Sequence, residues 1–226
     1  MAAPAPGGRV TDQSGPHGVG VVSAASHSRD DVARALDSRL GESGVVICGL
    51  GSGSRAWREL GSPRPAYYCS DPMGVSLSMA AGFALARPDR PVVLMVGDGD
   101  LLMGLGALVT VAGASPANLS VVVLANLRYE TGGGRPLPGS SQLDIPAVAA
   151  AAGWGSVSVA GSDLAGDIAA ALEAPGPSLV VVSVRLQAAP YGGPGRWSGV
   201  EERVQFELAL AAGDAAAQEP TTGDGG

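Results

Sequence analysis

Four runs of continuous branched and aliphatic residues constrain this chain more than anything else in it. They are Val45-Val46-Ile47-Cys48, Pro91 to Val96, Ser120 to Ala125 and Ser178 to Val184. A strand with one face in water alternates apolar and polar residues, and these do not. They read as strands covered on both faces. Helical segments lie between them: an amphipathic stretch opening at Ser28, Gly74 to Ala86, Leu101 to about Gly113, 145–152 and 163–173. Two shorter strands, 66–69 and 156–159, complete the alternation. Strand–helix repetition of this kind predicts a three-layer α/β fold, a parallel sheet with helices on both faces. Aromatics are only 4% of the 226 residues, so aliphatic side chains must fill the core.

Residues 1–27, rich in Gly, Pro, Ala and Ser, predict a flexible lead-in. Ser28 then caps a helix whose first turn carries Asp30 and Asp31. The domain spans 28–212, with a last helix from near Ser198 to near Ala212. Residues 213–226 (GDAAAQEPTTGDGG) predict a disordered tail. Gly74–Ala86 is apolar nearly all round and predicts a buried helix, and Leu101–Gly113 a second one. Cys48 and Cys69 fall in apolar stretches, where reduced, buried thiols are expected. His17 and His27 lie in the lead-in and read as exposed linker residues. With a net charge of −7 and scattered arginines, the chain has no electrostatic footprint for nucleic acid. No signal pattern or membrane-length apolar run is present, so the expected location is cytoplasmic, off the membrane.

In open parallel sheets ligands bind outside the carboxyl ends of strands. Three segments stand there: Gly51-Ser52 after Cys48, Gly97-Asp98-Gly99-Asp100, and Asn126. Asp98 offers a carboxylate, Asn126 an amide oxygen, and the irregular stretch beyond it backbone carbonyls. A few hard oxygen donors suit magnesium, which completes its octahedron with phosphate and water. Gly97 and Gly99 let backbone amides approach a diphosphate. Alone, Gly-Asp-Gly is a tight turn with an Asp cap. Asn126, 28 positions after Asp98 and separated from it by a helix and a buried strand, makes the pair a shared site.

On these residues the chain resembles thiamine diphosphate enzymes, whose cofactor motif Gly97-Asp98-Gly99 … Asn126 matches. The resemblance implies thiamine diphosphate and Mg2+ as cofactors, and a metal held by Asp98, the Asn126 side chain and the Arg128 carbonyl. It also implies that Asp71-Pro72-Met73-Gly74 is the turn wedging a side chain between the cofactor's rings. Met73 would be the wedge, with core packing as its plainer reading, and the Asp71 carbonyl would accept from the aminopyrimidine. DPMGVSLSMAAGFALARPDRPVVLMVGDG, ASPANLSVVVLAN and NLRYETGGGRPLP narrow the likeness to phosphonopyruvate and sulfopyruvate decarboxylases. Tyr129 belongs to the implied cofactor site. Glu130 aligns with a family glutamate at the rim, either catalytic or paired with Arg128 or Arg135.

There are departures. Val75 and Tyr129 occupy positions often held by His, and Arg135 replaces a Gln, which puts phosphonopyruvate in doubt as substrate. Asp100 stands near the diphosphate where the family has a small neutral residue. A second carboxylate there costs affinity unless it points away. By the same resemblance, the activating Glu comes from a separate pyrimidine-binding domain, and nothing before residue 45 is patterned as one. The expectation is one subunit of a heterodimer or heterotetramer that decarboxylates a short 2-oxo acid. A carboligase subunit is the alternative, and a non-catalytic phosphate-binding protein the alternative of another class. Cluster cysteines of a keto-acid:ferredoxin oxidoreductase are not seen.

Overall fold

The computed structural model describes residues 27–70, 73–140, 142–187 and 199–218. Six parallel strands form one sheet: β1 (Val45–Cys48), β2 (Ala66–Tyr68), β3 (Val92–Gly97), β4 (Leu119–Ala125), β7 (Ser156–Val159) and β8 (Ser178–Ser183), ordered β2-β1-β3-β4-β8-β7. β5 (Arg128–Tyr129) and β6 (Arg135–Pro136) make a small antiparallel hairpin beside it. The strand pleat divides the core in two. Val45, Ile47, Leu94, Val121 and Val181 face one side, and Val46, Cys48, Met95, Val122 and Val182 the other. Both cysteines are free and buried.

On the second side lie α1 (Arg29–Arg39), α2 (Ser52–Leu60) and α7 (Leu164–Glu173), burying Val32, Leu36, Trp57 and Ile168. α1 starts with a reciprocal capping box: Ser28 Oγ accepts from the Asp31 amide, and Asp31 accepts from the Ser28 amide. On the first side lie α3 (Ser76–Ala86), α4 (Asp98–Met103), α5 (Ala107–Ala114), α6 (Ile145–Ala151) and α8 (Gly199–Gln218).

Four expectations change. The helix expected from Leu101 to Gly113 begins at Asp98 and breaks into α4 and α5 at Gly104-Leu105-Gly106. Two glycines weaken a helix interior, and Gly104 lies against the Gly74 backbone with no room for a Cβ. α3 and α5 are buried on one face only: Leu85 and Val109 are exposed. The last helix runs to Gln218, so residues 213–218 continue it instead of starting a tail. Asp214 is paired there with Arg87 and Arg90, and the alanines that follow favour helix. His27 is no linker residue. It bridges to Val184, and its Nε2 lies 2.8 Å from the Gly161 carbonyl. Residues 1–26 and 219–226, with His17, fall outside the described residues.

The strand order fixes where a ligand can sit. From β1 the chain moves to β2 on one edge, then returns to β3 on the other side of β1. α2, which follows β1, packs on one face of the sheet, and α4, which follows β3, on the opposite face. Diverging connections at such a reversal open a crevice at the carboxyl ends of the two strands.

Candidate functional site

That crevice is lined by the loops after β1, β3 and β4, and it gathers most of the residues singled out from sequence. Gly51, Ser52, Met73, Gly97, Asp98, Gly99, Asp100, Asn126, Arg128, Tyr129 and Glu130 all border it. Asp71 and Pro72 lie outside the described residues.

Asp98 opens α4 and is only 2% exposed. Its Oδ1 accepts from the Gly99 amide at 2.8 Å and its Oδ2 from the Leu127 amide at 2.6 Å. Burial outweighs these bonds and pushes its pKa up to about 6. Among the described residues no cationic side chain is paired with it. A buried carboxylate without a counter-charge is suited to a cation.

The other oxygen donors come from the turn after β4. Leu127 takes a left-handed φ of +57°, uncommon for a leucine, and so brings the next amide back over the strand end. The Arg128 amide then donates to Asn126 Oδ1 at 2.9 Å. Across the hairpin the Leu137 amide donates to the Leu127 carbonyl and the Gly134 amide to the Tyr129 carbonyl, so Arg128, opposite Pro136, stands at a non-hydrogen-bonded position of the ladder. Among the described residues no cluster of three His, Cys, Asp or Glu side chains could hold a metal. The available set is one carboxylate, one amide oxygen and backbone oxygen, which fits magnesium completed by phosphate and water.

Glu130 departs from both sequence options for its partner. Its Oε1 accepts from Arg29 at 2.8 Å, and its Oε2 from Ser52 Oγ at 2.6 Å and Asn126 Nδ2 at 3.3 Å. Neither Arg128 nor Arg135 forms this pair; Arg128 instead donates to the Gly134 carbonyl. Glu130 thus joins α1, α2 and β4, and it fixes which way the Asn126 amide faces. Tyr129 lays its ring over Gly99, where a Cβ would come within 2.8 Å of ring carbons. Any side chain at Gly99 would therefore push the Tyr129 ring aside.

Asp100 takes no part in the oxygen set. Its Oδ1 accepts from the Gly74 amide at 2.6 Å, and its Oδ2 from the Leu50 amide at 3.0 Å and Ser76 Oγ at 3.2 Å. It points across the crevice to the Met73-Gly74 turn. Sequence reasoning missed Arg29, Leu50 and Thr131, which also border the site, and Leu127, whose amide donates to Asp98. Arg29 carries no local signal, because it meets Glu130 across 101 positions. The positive φ of Leu127 has no signature in its residue type.

A doubly wound parallel sheet with an acid, an amide and a left-handed turn at its switch point defines an α/β domain with a ligand crevice at its strand ends. Residues 55–182 match the family described as thiamine pyrophosphate enzyme, C-terminal TPP binding domain, and the chain belongs to that family. It is 39% identical over 166 residues to phosphonopyruvate decarboxylase of Streptomyces viridochromogenes, covering 72% of this chain and 41% of that protein. It is 37% identical over 134 residues to sulfopyruvate decarboxylase subunit beta of Methanothermobacter thermautotrophicus, covering 59% of this chain and 71% of that one. Among solved structures, benzoylformate decarboxylase from Polynucleobacter necessarius superposes with a TM-score of 0.66 at 25% identity, over 75% of this chain and 35% of that one. The chain thus spans about two-fifths of the length of the phosphonopyruvate decarboxylase it matches.

Proposed function

We propose that this chain is the diphosphate- and magnesium-binding subunit of a thiamine diphosphate-dependent enzyme that decarboxylates a short 2-oxo acid. The observation that carries the reading is the convergence of Asp98, Asn126, the Arg128 backbone and the Met73 turn on one crevice. Asp98, the Asn126 amide oxygen and the Arg128 carbonyl would hold Mg2+, and through it the diphosphate. Ser52 and Arg29 engage Glu130, which in turn engages Asn126 Nδ2, so the amide oxygen is kept for its role as acceptor. Met73 would be the side chain against which the cofactor bends. Once bound, the cofactor itself supplies the electron sink for decarboxylation, and the protein supplies orientation.

The activating Glu is proposed to come from a separate pyrimidine-binding subunit, in a heterodimer or heterotetramer. Two observations support this. One is the likeness to a protein named as a beta subunit, of which this chain covers 71%. The other is the apolar surface beside the crevice, where Val75, Met103 and Leu105 are exposed.

The test is to purify the chain alone and together with the protein encoded beside it. Both samples receive thiamine diphosphate and Mg2+, and carbon dioxide release from short 2-oxo acids is followed. The mixture is expected to outpace the isolated chain by at least roughly a hundredfold, since half the contacts to the cofactor are otherwise unmade. Equal turnover by the chain alone removes the two-subunit reading. A carbon–carbon coupled product, in place of the free aldehyde, reassigns the chemistry to carboligation.

A further inference from the structure

Asp100 raises a question that the metal site does not answer. A buried carboxylate stands two positions after the proposed magnesium ligand, and three groups of this chain donate to it. All three belong to elements that meet α4 from elsewhere in the sequence: Leu50 after β1, Gly74 in the Met73 turn, and Ser76 at the start of α3. The packing around it is backbone on backbone. A Cβ on Gly74 would come within 2.9 Å of the Met103 carbonyl carbon, and Gly74 holds a φ of +92° that favours glycine. Gly104 has no room for a side chain because the Gly74 carbonyl occupies it, and a Cβ on Gly49 would lie 2.7 Å from Asp100 Oδ2. α4 therefore carries Asp98 at its first residue, and two positions on it grips both the wedge turn and the loop after β1.

We propose that Asp100 is a positioning residue: its carboxylate staples the Met73-Gly74 turn and the Leu50 loop to α4, so that the wedge and the metal anchor keep one spacing. A small neutral residue at this position cannot reach three donors at once. Charge-assisted bonds from backbone amides to a buried carboxylate are among the strongest a protein makes. The functional meaning of the staple rests on the reading of Met73 as the wedge, but the staple itself does not.

The experiment uses the full chain without cofactor, as wild type, Asp100→Ser and Asp100→Asn. Amide hydrogen exchange is read at Leu50 and Gly74, with the β3 amides as reference for global opening. The Met73 methyl is followed by carbon-13 NMR, assigned by its disappearance in Met73→Leu, with the buried Met95 methyl as control. In Asp100→Ser both amides are expected to exchange at least tenfold faster against unchanged β3 amides. The Met73 methyl is expected to shift and sharpen while Met95 stays put. Asp100→Asn, which presents one acceptor and one donor, is expected to restore protection at one amide and not the other. Unchanged exchange at Gly74 and Leu50 in Asp100→Ser overturns the staple, as does a Met73 methyl that does not respond. β3 amides that accelerate in step with Gly74 and Leu50 overturn it too, since Asp100 then serves the fold as a whole. Failure of the cofactor reading appears elsewhere: a mixture with the partner that never binds thiamine diphosphate removes that reading while these amide and methyl signals stand.

Discussion

The two helical layers of this domain treat water differently. On the α1–α2–α7 side the outward residues of α1 and α2 are mostly charged or polar and those of α7 mostly alanine, with Arg34 paired to Asp31 at 2.6 Å and Asp37 paired to Arg64. Among the described residues, none of the exposed large apolar side chains belongs to these three helices. On the other side Val75, Leu85, Met103, Leu105 and Val109 are exposed along one stretch of chain, and Val200, Val204 and Leu208 along α8. Scattered exposed leucines mean little, but exposed apolar residues gathered on one layer, with Val75 and Met103 next to the Met73-Gly74 turn, are what a contact surface offers. One layer is finished against solvent. The other carries α4 and the Met73 turn, and it leaves large apolar side chains in water.

The strongest test of this division separates function from stability on the unfinished side. Asp98→Ala should weaken retention of Mg2+ and thiamine diphosphate in the assembled protein by at least roughly a hundredfold, as expected for losing a charged ligand. Its unfolding midpoint in urea should stay near wild type, because Asp98 sits at the rim of the sheet. Full cofactor occupancy in that variant removes Asp98 from the site. The next contrast uses one substitution from each layer. Leu36→Ala on α1, fully buried, should cost about 2–5 kcal/mol of stability and leave assembly intact once folded. Val109→Glu on α5, at a side chain 63% exposed, should change stability by less than about 0.5 kcal/mol. It should nevertheless weaken association with the partner by about tenfold or more, because a buried, unpaired carboxylate opposes the contact. If Val109→Glu binds the partner as well as wild type does, this face is not the interface.

The same division explains what the sequence made legible. Continuous valine and leucine runs announced the covered strands, and Gly97-Asp98-Gly99 with Asn126 announced the strand-end site, because both signals are local or fixed by strand order. The break at Gly104-Leu105-Gly106 was not legible. It depends on Gly74 pressing against Gly104 from another loop, which no helical periodicity records. Asp100 was noticed as out of place, but its direction depends on Leu50 and Gly74, 50 and 26 positions away. Glu130 was placed at the rim, yet its partner Arg29 lies on the opposite layer's first helix. Residue type marked the candidate groups; long-range contact decided what each one faces.

A smaller effect belongs to Met73. Met73→Ala should leave the affinity for thiamine diphosphate within about threefold while lowering kcat of the assembled protein about tenfold, since orientation and not anchoring is lost. Leucine at the same position should recover most of the rate. A parallel loss of affinity and rate would make Met73 an ordinary contact, and the contrast between anchor and wedge would blur.

The finest test compares two carboxylates with opposite shifts, one in each layer. Asp31 on α1 is held down to about 2, first by the Ser28 backbone hydrogen bond, so its stabilising contribution is present above 3.8 and lost as pH falls toward 2. Asp98 is raised from 3.8 to about 6 by burial, so the metal-free chain has the benefit of the neutral form below 3.8 and loses it as pH rises through 6. Thermal midpoints of the metal-free chain should therefore decline from pH 5 to 7, and Mg2+ with thiamine diphosphate, in the assembled protein, should remove that decline. Metal binding requires the ionised acid, so the apparent affinity for Mg2+ should drop about tenfold between pH 7 and pH 5, with a proton taken up for each ion released. Affinity that holds level across that interval would mean that Asp98 ionises like an ordinary surface acid, and the two layers would then share one electrostatic character.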